Sequence, residues 1–281
     1  MANDIHWFPG HMNKALHEVE EKVKIVDVII EIFDARAPLS SVNEQLEKAT
    51  AHKKKVYIFS KADLADPIQT KKWQKHFANQ DSEVLVVNLS DKSAYNLISN
   101  AVINLGKSKW AKEMARGMKP QPIRTMIIGI PNVGKSTLIN LLAKRKAAGV
   151  QNKPGYTRGE QWIRVNKDFI LLDTPGILPM NYENKEKAAN LALVGSIRED
   201  ILPNSDLVNY LLSILNNKYP EALKERFSIE NITTHDEVCK AICAKRGLLS
   251  SNGAYDIAKA EALLLKEFKD GLLGRMTLEW L

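Results

Sequence analysis

The alternation of apolar and polar positions divides the chain into two parts. In the first part, short apolar runs alternate with stretches whose apolar residues recur at helical spacing; the runs cover 26–33, 56–59, 84–88, 125–130, 160–165 and 169–172. Strands that are apolar almost throughout, and separated by helices, are typical of a parallel sheet covered on both faces. The pattern therefore predicts an α/β fold built on a doubly wound, mostly parallel sheet.

Helical periodicity predicts the remaining elements. Between the strands, helices are expected near 12–25, 43–52, 67–79, 93–105 and 135–144. The basic stretch 106–122 ends in Lys-Pro-Gln-Pro and is predicted to be a connector. After about residue 180 the strand pattern stops, and helical patterns cover 184–200, 205–216, 219–226, 234–246 and 254–269. We therefore expect a first domain over 1–178, with an N-terminal arm over 1–12, and a helical domain over 179–281.

Composition indicates the compartment. The chain is 44% hydrophobic and 26% charged, which is ordinary for a soluble globular protein. No apolar run reaches the roughly 20 residues that cross a bilayer, and the first residues lack the pattern of a signal peptide. Cys239 and Cys243 lie four apart in a predicted helix and are expected to be core residues, because two thiols alone make a poor metal site. We expect a cytoplasmic protein without membrane contact.

Charge is distributed unevenly along the chain. The formal net charge is +7, and residues 1–178 hold 27 of the 40 Lys and Arg residues but only 18 of the 33 Asp and Glu residues. The basic excess is concentrated in 52–55, 106–124 and 144–167. Such clusters suit a polyanionic partner such as RNA, and they equally suit a solvated surface that keeps the protein soluble.

The most specific motif lies between an apolar run and a helical pattern. Residues 129–136 read Gly-Ile-Pro-Asn-Val-Gly-Lys-Ser and fit G-x-x-x-x-G-K-[ST], a loop that binds nucleoside triphosphates. In such a loop, backbone N–H groups and the helix N-terminus hold the phosphates, the lysine reaches the β- and γ-phosphates, and the serine hydroxyl ligates Mg²⁺. The residues predicted to bind the phosphates are Asn132, Val133, Gly134, Lys135, Ser136 and Thr137.

Two further stretches complete the predicted triphosphate site. Residues 173–176 end a predicted strand and supply D-x-x-G, in which Asp173 can hold Mg²⁺ through water and the Gly176 N–H can contact the γ-phosphate. Thr157 lies in the loop before that strand, where its hydroxyl can ligate Mg²⁺. The predicted magnesium ligands are therefore Ser136 and Thr157.

The segment predicted to read the base precedes the phosphate loop in the chain. Residues 60–63 read Ser-Lys-Ala-Asp and take the place of the N-K-x-D element that most GTPases carry downstream. Asp63 can accept hydrogen bonds from the N1–H and N2–H of guanine, and the Lys61 stem can lie along the base plane. After the next apolar run, the residues predicted to contact the guanine O6 are Asn88, Leu89 and Ser90.

This order of motifs resembles the circularly permuted GTPases, and within them the ribosome biogenesis GTPase A group. The likeness is carried by HWFPGHM, VDVIIEIFDARAP, GIPNVGKSTLIN, KPGYTRGEQW and LLDTPGIL. It covers essentially the whole predicted GTPase domain, with 106–122 as the join between former termini, and is looser in the C-terminal helices.

The resemblance implies a GTP-hydrolysing factor in late maturation of the large ribosomal subunit. It implies binding of GTP and GDP with Mg²⁺, contact with ribosomal RNA and ribosomal proteins, and hydrolysis stimulated by the ribosomal particle. We expect a monomer.

The sequence departs from the family pattern at Ser60, where the family usually has Asn. Because Ser has a smaller hydrogen-bonding reach, we expect a weaker tether between base loop and phosphate loop, with guanine selectivity retained through Asp63.

The group that orients the attacking water is not evident from the motifs. Ile177 occupies the position where Ras-like enzymes carry Gln, and Ile cannot orient water. The resemblance makes His11 a candidate catalytic residue, brought to the site when the partner docks, although His11 can instead cap the first helix. Trp7 and Phe8 are expected to pack or to contact the partner.

The phosphate loop also suggests a second cation. GTPases that use K⁺ as a built-in positive charge share an Asn at the position of Asn132, so Asn132 is a candidate K⁺ ligand and catalytic residue, beside Lys135 and Thr157. The alternative is that Asn132 only shapes the loop.

Two rival functions remain open, namely an RNA-associated GTPase of another kind, such as a tRNA-modifying one, and a non-enzymatic RNA-binding module.

Overall fold

A six-stranded sheet forms the centre of the fold in the computed structural model, which describes residues 5–6, 9–143, 162–172, 181–182, 184–197, 202–231 and 234–281. The strands of this sheet are β2 (Val28–Asp34), β3 (Lys54–Ser60), β4 (Ser82–Val86), β5 (Ile123–Ile128), β6 (Trp162–Arg164) and β7 (Phe169–Leu172). Two further short strands, β1 (Ile5–His6) and β8 (Asn181–Tyr182), pair with each other separately. The order in the sheet is β4-β3-β2-β5-β7-β6, and every neighbouring pair is parallel except β6–β7. The predicted α/β class is therefore confirmed.

Helices cover both faces of this sheet and dominate the second part of the chain. They are α1 (Pro9–Val23), α2 (Glu44–Thr50), α3 (Pro67–Phe77), α4 (Ala94–Ala115), α5 (Lys135–Ala143), α6 (Lys185–Leu193), α7 (Asn204–Lys218), α8 (Ala222–Phe227), α9 (His235–Arg246) and α10 (Ile257–Lys269). Local sequence sets several starts: the side chains of Asn43 and Asp66 accept hydrogen bonds from the first backbone N–H groups of α2 and α3. The predicted helical C-terminal region is present.

The two faces of β2 show why its sequence is apolar throughout. Ile30 and Ile32 pack in the core that contains residues of α4 and α5, whereas Ile29 packs with α1 and α2 and Phe33 lies in an aromatic cluster with residues of α3. All four side chains are buried completely. A strand covered on both faces has no polar alternation, as the sequence pattern indicated.

The connector predicted over 106–122 is wrong for most of its length. The helix α4 continues to Ala115, and the chain turns at Gly117, where Met118 N–H bonds to Glu113 O at 2.9 Å and Gly117 N–H to Met114 O at 2.9 Å. Lys109 and Glu113 form an i,i+4 ion pair at 3.0 Å, so the basic residues extend the helix instead of ending it. The join between the former termini is accordingly short.

The C-terminal helices share a core with one face of the sheet. One continuous cluster of buried apolar side chains contains Ile30 and Ile127 of the sheet together with Leu211 of α7 and Leu264 of α10. Cys239 and Cys243 are free and buried, as expected for core residues, and burial raises the pKa of Cys239 to about 12. Within the described ranges, no helix combines the length and apolar character needed to cross a bilayer.

Candidate functional site

Four loops meet at the carboxyl edge of the parallel strands. The segment after β5 is the predicted phosphate loop, those after β3 and β4 are the predicted base-reading loops, and the fourth segment follows Asp34, the last residue of β2. Because these strands are parallel neighbours, their carboxyl ends lie on the same edge of the sheet, which is where α/β proteins bind ligands.

The backbone of the phosphate loop requires its two glycines. Gly129 has φ +149°, and a Cβ there would lie 2.7 Å from Ile32 O; Gly134 has φ +106°, and a Cβ there would lie 3.1 Å from a Leu89 methyl carbon. Asn132 also adopts positive φ, at 58°. A side chain at Gly129 would therefore force β2 and the loop apart.

The start of α5 presents the residues predicted to hold phosphate and magnesium. The helix begins at Lys135, and Ser136 and Thr137 are exposed in its first turn. The Lys135 ammonium donates to Ile130 O at 2.6 Å, so the side chain folds back over the loop. Exposed hydroxyls at a helix N-terminus suit a cation that is ligated mainly by phosphate and water. Among the described residues, no cluster of three His, Cys, Asp or Glu side chains offers an alternative metal site.

Ser60 joins the base loop to the phosphate loop directly. Its Oγ lies 2.6 Å from Val133 O and 2.9 Å from Phe33 O, and the single hydroxyl proton bonds to one carbonyl or the other. Ser60 is buried, so water does not compete for this contact. The contact shows that the shorter side chain still reaches the phosphate loop, across 73 positions of the chain.

Asp63 and Lys61 occupy different environments in the base loop. Asp63 is exposed, and its carboxylate has no hydrogen bond or ion pair with any residue in the described part of the chain. Lys61, with φ +54°, directs its ammonium to Asp34 Oδ2 at 2.7 Å. The arrangement leaves the Asp63 carboxylate available to accept from a base, and it orients the Lys61 stem.

The loop after β4 lies against the phosphate loop. Leu89 is buried, and its side chain lies close to Gly134 of the phosphate loop. Asn88 is half-buried, and its Oδ1 accepts from the Ser90 N–H at 2.9 Å, which closes a tight turn. The structure therefore brings the predicted residues after β3, β4 and β5 to one place.

Sequence reasoning missed an ion-pair network beneath this site. Asp34 is fully buried and accepts from Arg36 Nε at 3.0 Å and Nη2 at 2.9 Å, in addition to Lys61. Burial alone would raise the pKa of Asp34, but the charges of Arg36 and Lys61 hold it below the usual value. The indication in the sequence was an Asp at the end of a buried strand, at the same edge as the other motifs.

Asn132 contacts the helical region. Its Nδ2 donates to Gly195 O at 2.9 Å, in the turn after α6, and Arg36 Nη2 donates to Val194 O at 3.2 Å in the same turn. Asn132 Oδ1 has no hydrogen bond with the residues that the structure covers. The Asn132 Oδ1 atom is therefore available as a ligand, while the Nδ2 group holds the phosphate loop to the helical region.

Several predicted residues lie outside the described residues. These are Thr157, Asp173, Gly176 and Ile177 of the predicted switch segments, and Trp7 and Phe8 of the N-terminal arm. His11 lies in the first turn of α1, with its side chain outside the described part. The helix begins at Pro9, two residues before His11, so the alternative that His11 occupies the cap position of this helix is wrong. The strand β1, which precedes α1, pairs with β8 in antiparallel register, Ile5 opposite Tyr182.

The chain is similar to a known protein family, to curated relatives and to solved structures. Residues 124–245 match the family model described as 50S ribosome-binding GTPase. "Ribosome biogenesis GTPase A" of Bacillus pumilus is 42% identical over 98% of each chain, and the protein of that name from Thermotoga maritima is 30% identical over 97% of this chain and 93% of its own length. The GNP-bound structure of YlqF from T. maritima matches with TM-score 0.62 at 26% identity, covering 95% of this chain and 98% of that chain.

Proposed function

This chain belongs to the ribosome biogenesis GTPase A family, and from that premise we propose that it uses GTP hydrolysis in late maturation of the large ribosomal subunit, in the cytoplasm. Family membership makes it a GTP-hydrolysing enzyme. The observation that carries the proposal is the contact between Ser60 and Val133, which joins a base loop to a phosphate loop in permuted chain order. In this proposal the helical domain over 179–281 contacts the ribosome.

The proposed chemistry divides the site residues by role. Asp63 accepts from guanine, Lys61 lies along the base, and Asn88, Leu89 and Ser90 border the O6 edge. The N–H groups of 132–137 and the Lys135 ammonium hold the phosphates. GTPases use Mg²⁺, which neutralises phosphate charge when bound; here Ser136 and Thr157 would hold it directly and Asp173 through water, with Gly176 contacting the γ-phosphate.

We expect intrinsic hydrolysis to depend on the monovalent cation. If Asn132 Oδ1 helps to hold K⁺, turnover in KCl should exceed that in NaCl by about tenfold or more, since the bound cation would stabilise the developing negative charge and the smaller Na⁺ would fit a site sized for K⁺ less well. Steady-state GTP hydrolysis at matched ionic strength measures this. Asn132→Asp keeps an oxygen ligand and should retain part of the K⁺ effect, whereas Asn132→Ala should lose it. Equal rates in the two salts would rule out Asn132 as a cation ligand.

The central test of the function is hydrolysis with and without purified large subunits. We expect strong stimulation of the wild type by subunits. His11 is proposed to activate water in the docked state, because α1 follows β1, which pairs with β8 just after the D-x-x-G segment. His11→Ala should then bind GTP normally and lose most of the stimulation. His17→Ala is the matched control on α1, where the His17 side chain is 73% exposed. Absence of stimulation in the wild type would favour the rival functions.

Two basic stretches form one cleft at the opposite edge of the sheet. Residues 52–54, before and at the start of β3, line a volume of about 390 Å³ together with the C-terminal half of α4 and residues 26–27, and Lys109 neutralises the carboxylate of Asp27 there at 3.8 Å. Lys54 Nζ donates to Ser108 Oγ at 3.1 Å and to Leu105 O at 3.2 Å, which holds the stretches together. Lys112 and Arg116 are exposed and have no ion pair with any described residue. We propose that this cleft contacts ribosomal RNA phosphates.

Reversing two of these charges should weaken subunit binding without affecting nucleotide binding. For Lys112→Glu/Arg116→Glu we expect affinity for large subunits to fall about tenfold or more at low salt, with a shallower dependence on salt, because fewer counterions are released. Sedimentation with subunits across a salt series measures this. Lys71→Glu/Lys75→Glu, on exposed positions of α3, carries the same charge change at another face. An unchanged salt slope in the cleft variant would contradict the proposed contact.

A further inference from the structure

The last residues of the chain are bonded to the base loop. Arg275 donates from Nη2 to Ala62 O at 2.8 Å and from Nε to Ala65 O at 2.9 Å. The Met276 N–H donates to Leu64 O at 2.9 Å. Three carbonyl oxygens of the loop are therefore held from one segment, which follows α10 in the chain.

The C-terminal segment also contacts the end of the base loop, and it packs against the side chain of Leu64. The Asp66 N–H donates to Thr277 Oγ1 at 3.2 Å, and Leu278 N–H donates to Arg36 O at 2.8 Å. Gly271 lies so close to the loop that a Cβ there would be 2.7 Å from a Leu64 methyl carbon. Thr277 is fully buried, whereas Arg275 is exposed and its bond to Ala62 O lies at the surface.

Asp63 lies at the centre of the segment that these bonds hold. The carbonyls of Ala62 and Leu64, on either side of Asp63, are both occupied by the C-terminal segment, whereas the Asp63 carboxylate is exposed and forms no bond with the described residues. A hydrogen-bond acceptor discriminates between bases more strongly when its position is fixed before the base arrives, because ordering a mobile acceptor costs part of the free energy that its hydrogen bond contributes.

We propose that Arg275 is a positioning residue for the guanine-reading carboxylate, so that guanine selectivity depends on the docked C-terminal segment. The inference rests on the proposed role of Asp63. Arg275 does not touch the base; its planar guanidinium bridges two carbonyls three residues apart, a geometry that the single ammonium of Lys does not reproduce. The same segment is covalently continuous with α10, and Arg36 Nη1 donates to Lys269 O at 3.1 Å at the end of that helix.

The experiment compares the affinities of the full chain for GDP, for IDP, which lacks the 2-amino group, and for inorganic tripolyphosphate. The wild type should prefer GDP to IDP because Asp63 accepts from N2–H. In Arg275→Ala this preference should fall by about tenfold, the value of one hydrogen bond, while tripolyphosphate affinity stays unchanged. Arg275→Lys should show a partial loss. Lys266→Ala, on an exposed side chain of α10, is the matched control and should keep the wild-type preference.

The outcomes separate this inference from the function beneath it. If the wild type binds GDP and IDP equally, the assignment of Asp63 to guanine fails, and the inference fails with it. If the wild type discriminates and Arg275→Ala keeps the full preference, the positioning role is overturned and the GTPase function stands. A general loss of stability would weaken the binding of GDP, IDP and tripolyphosphate in parallel. It would therefore leave the ratio of the GDP and IDP affinities unchanged. If Arg275→Ala does not fold, the preference of Arg275→Lys decides the inference.

Discussion

Replacing Asp63 with Asn is expected to reduce GTP affinity by about 100-fold and to create affinity for XTP. The carboxylate accepts two guanine protons, whereas the Asn amide offers one acceptor and one donor group. Xanthine carries O2 in place of the 2-amino group, so the amide complements xanthine and mismatches guanine. Competition binding with GTP and XTP measures the exchange.

The exposure of Asp63 and a control at a second exposed aspartate make the Asp63 variant readily interpretable. The side chain is exposed and has no bond with the described residues, so its replacement should leave the thermal unfolding midpoint nearly unchanged. Asp81→Asn makes the same chemical change at another exposed position and should leave the GTP affinity at the wild-type value. Wild-type GTP affinity in the Asp63 variant would remove the guanine assignment.

Replacing Lys135 with Ala is expected to slow GTP hydrolysis by about 10²- to 10³-fold. The ammonium is held close to the phosphate loop through Ile130 O, and in the GTP-bound state it would stabilise charge that develops on the transferred phosphoryl group. GDP affinity should fall less than turnover, because GDP lacks the γ-phosphate. Single-turnover hydrolysis at saturating enzyme separates the chemical step from binding.

A surface lysine provides the comparison for the Lys135 variant. Lys48 is exposed on α2, and Lys48→Ala removes one positive charge without touching the site. It should hydrolyse GTP at the wild-type rate. A Lys135 variant that retained full turnover would show that backbone groups and cations alone supply the phosphate charge compensation. The assignment of Lys135 as a catalytic residue would then be wrong.

The fold class was accessible from the sequence because local patterns carry it. Apolar runs without polar alternation predicted strands covered on both faces, and β2 has such an environment. The phosphate loop was also local, since its glycines are needed by the backbone of the loop and its neighbours. The extent of α4 was missed because the basic composition of 106–115 was interpreted as a linker, although Lys, Ala and Glu are strong helix formers.

Contacts between distant segments were not accessible in the same way. Nothing local to GLLGRMTLEWL indicates that Arg275 bonds to Ala62 and Ala65, and the position of Asp34 at the end of a buried strand does not indicate that Lys61 is its partner. The basic cleft likewise joins 52–54 to the end of α4, through contacts such as that between Lys54 and Ser108. Each depends on which loops the sheet order brings together.

The sequence by itself determined most of the elements, the permuted order of the motifs and the chemical type of each loop, because backbone preferences and motif spacing act over a few residues. Only the tertiary structure decided that Ser60 reaches Val133 and that the C-terminal segment holds the loop of Asp63. Such contacts form when packing of the whole core brings distant carbonyls and side chains within hydrogen-bonding distance, a condition that no single stretch of chain specifies.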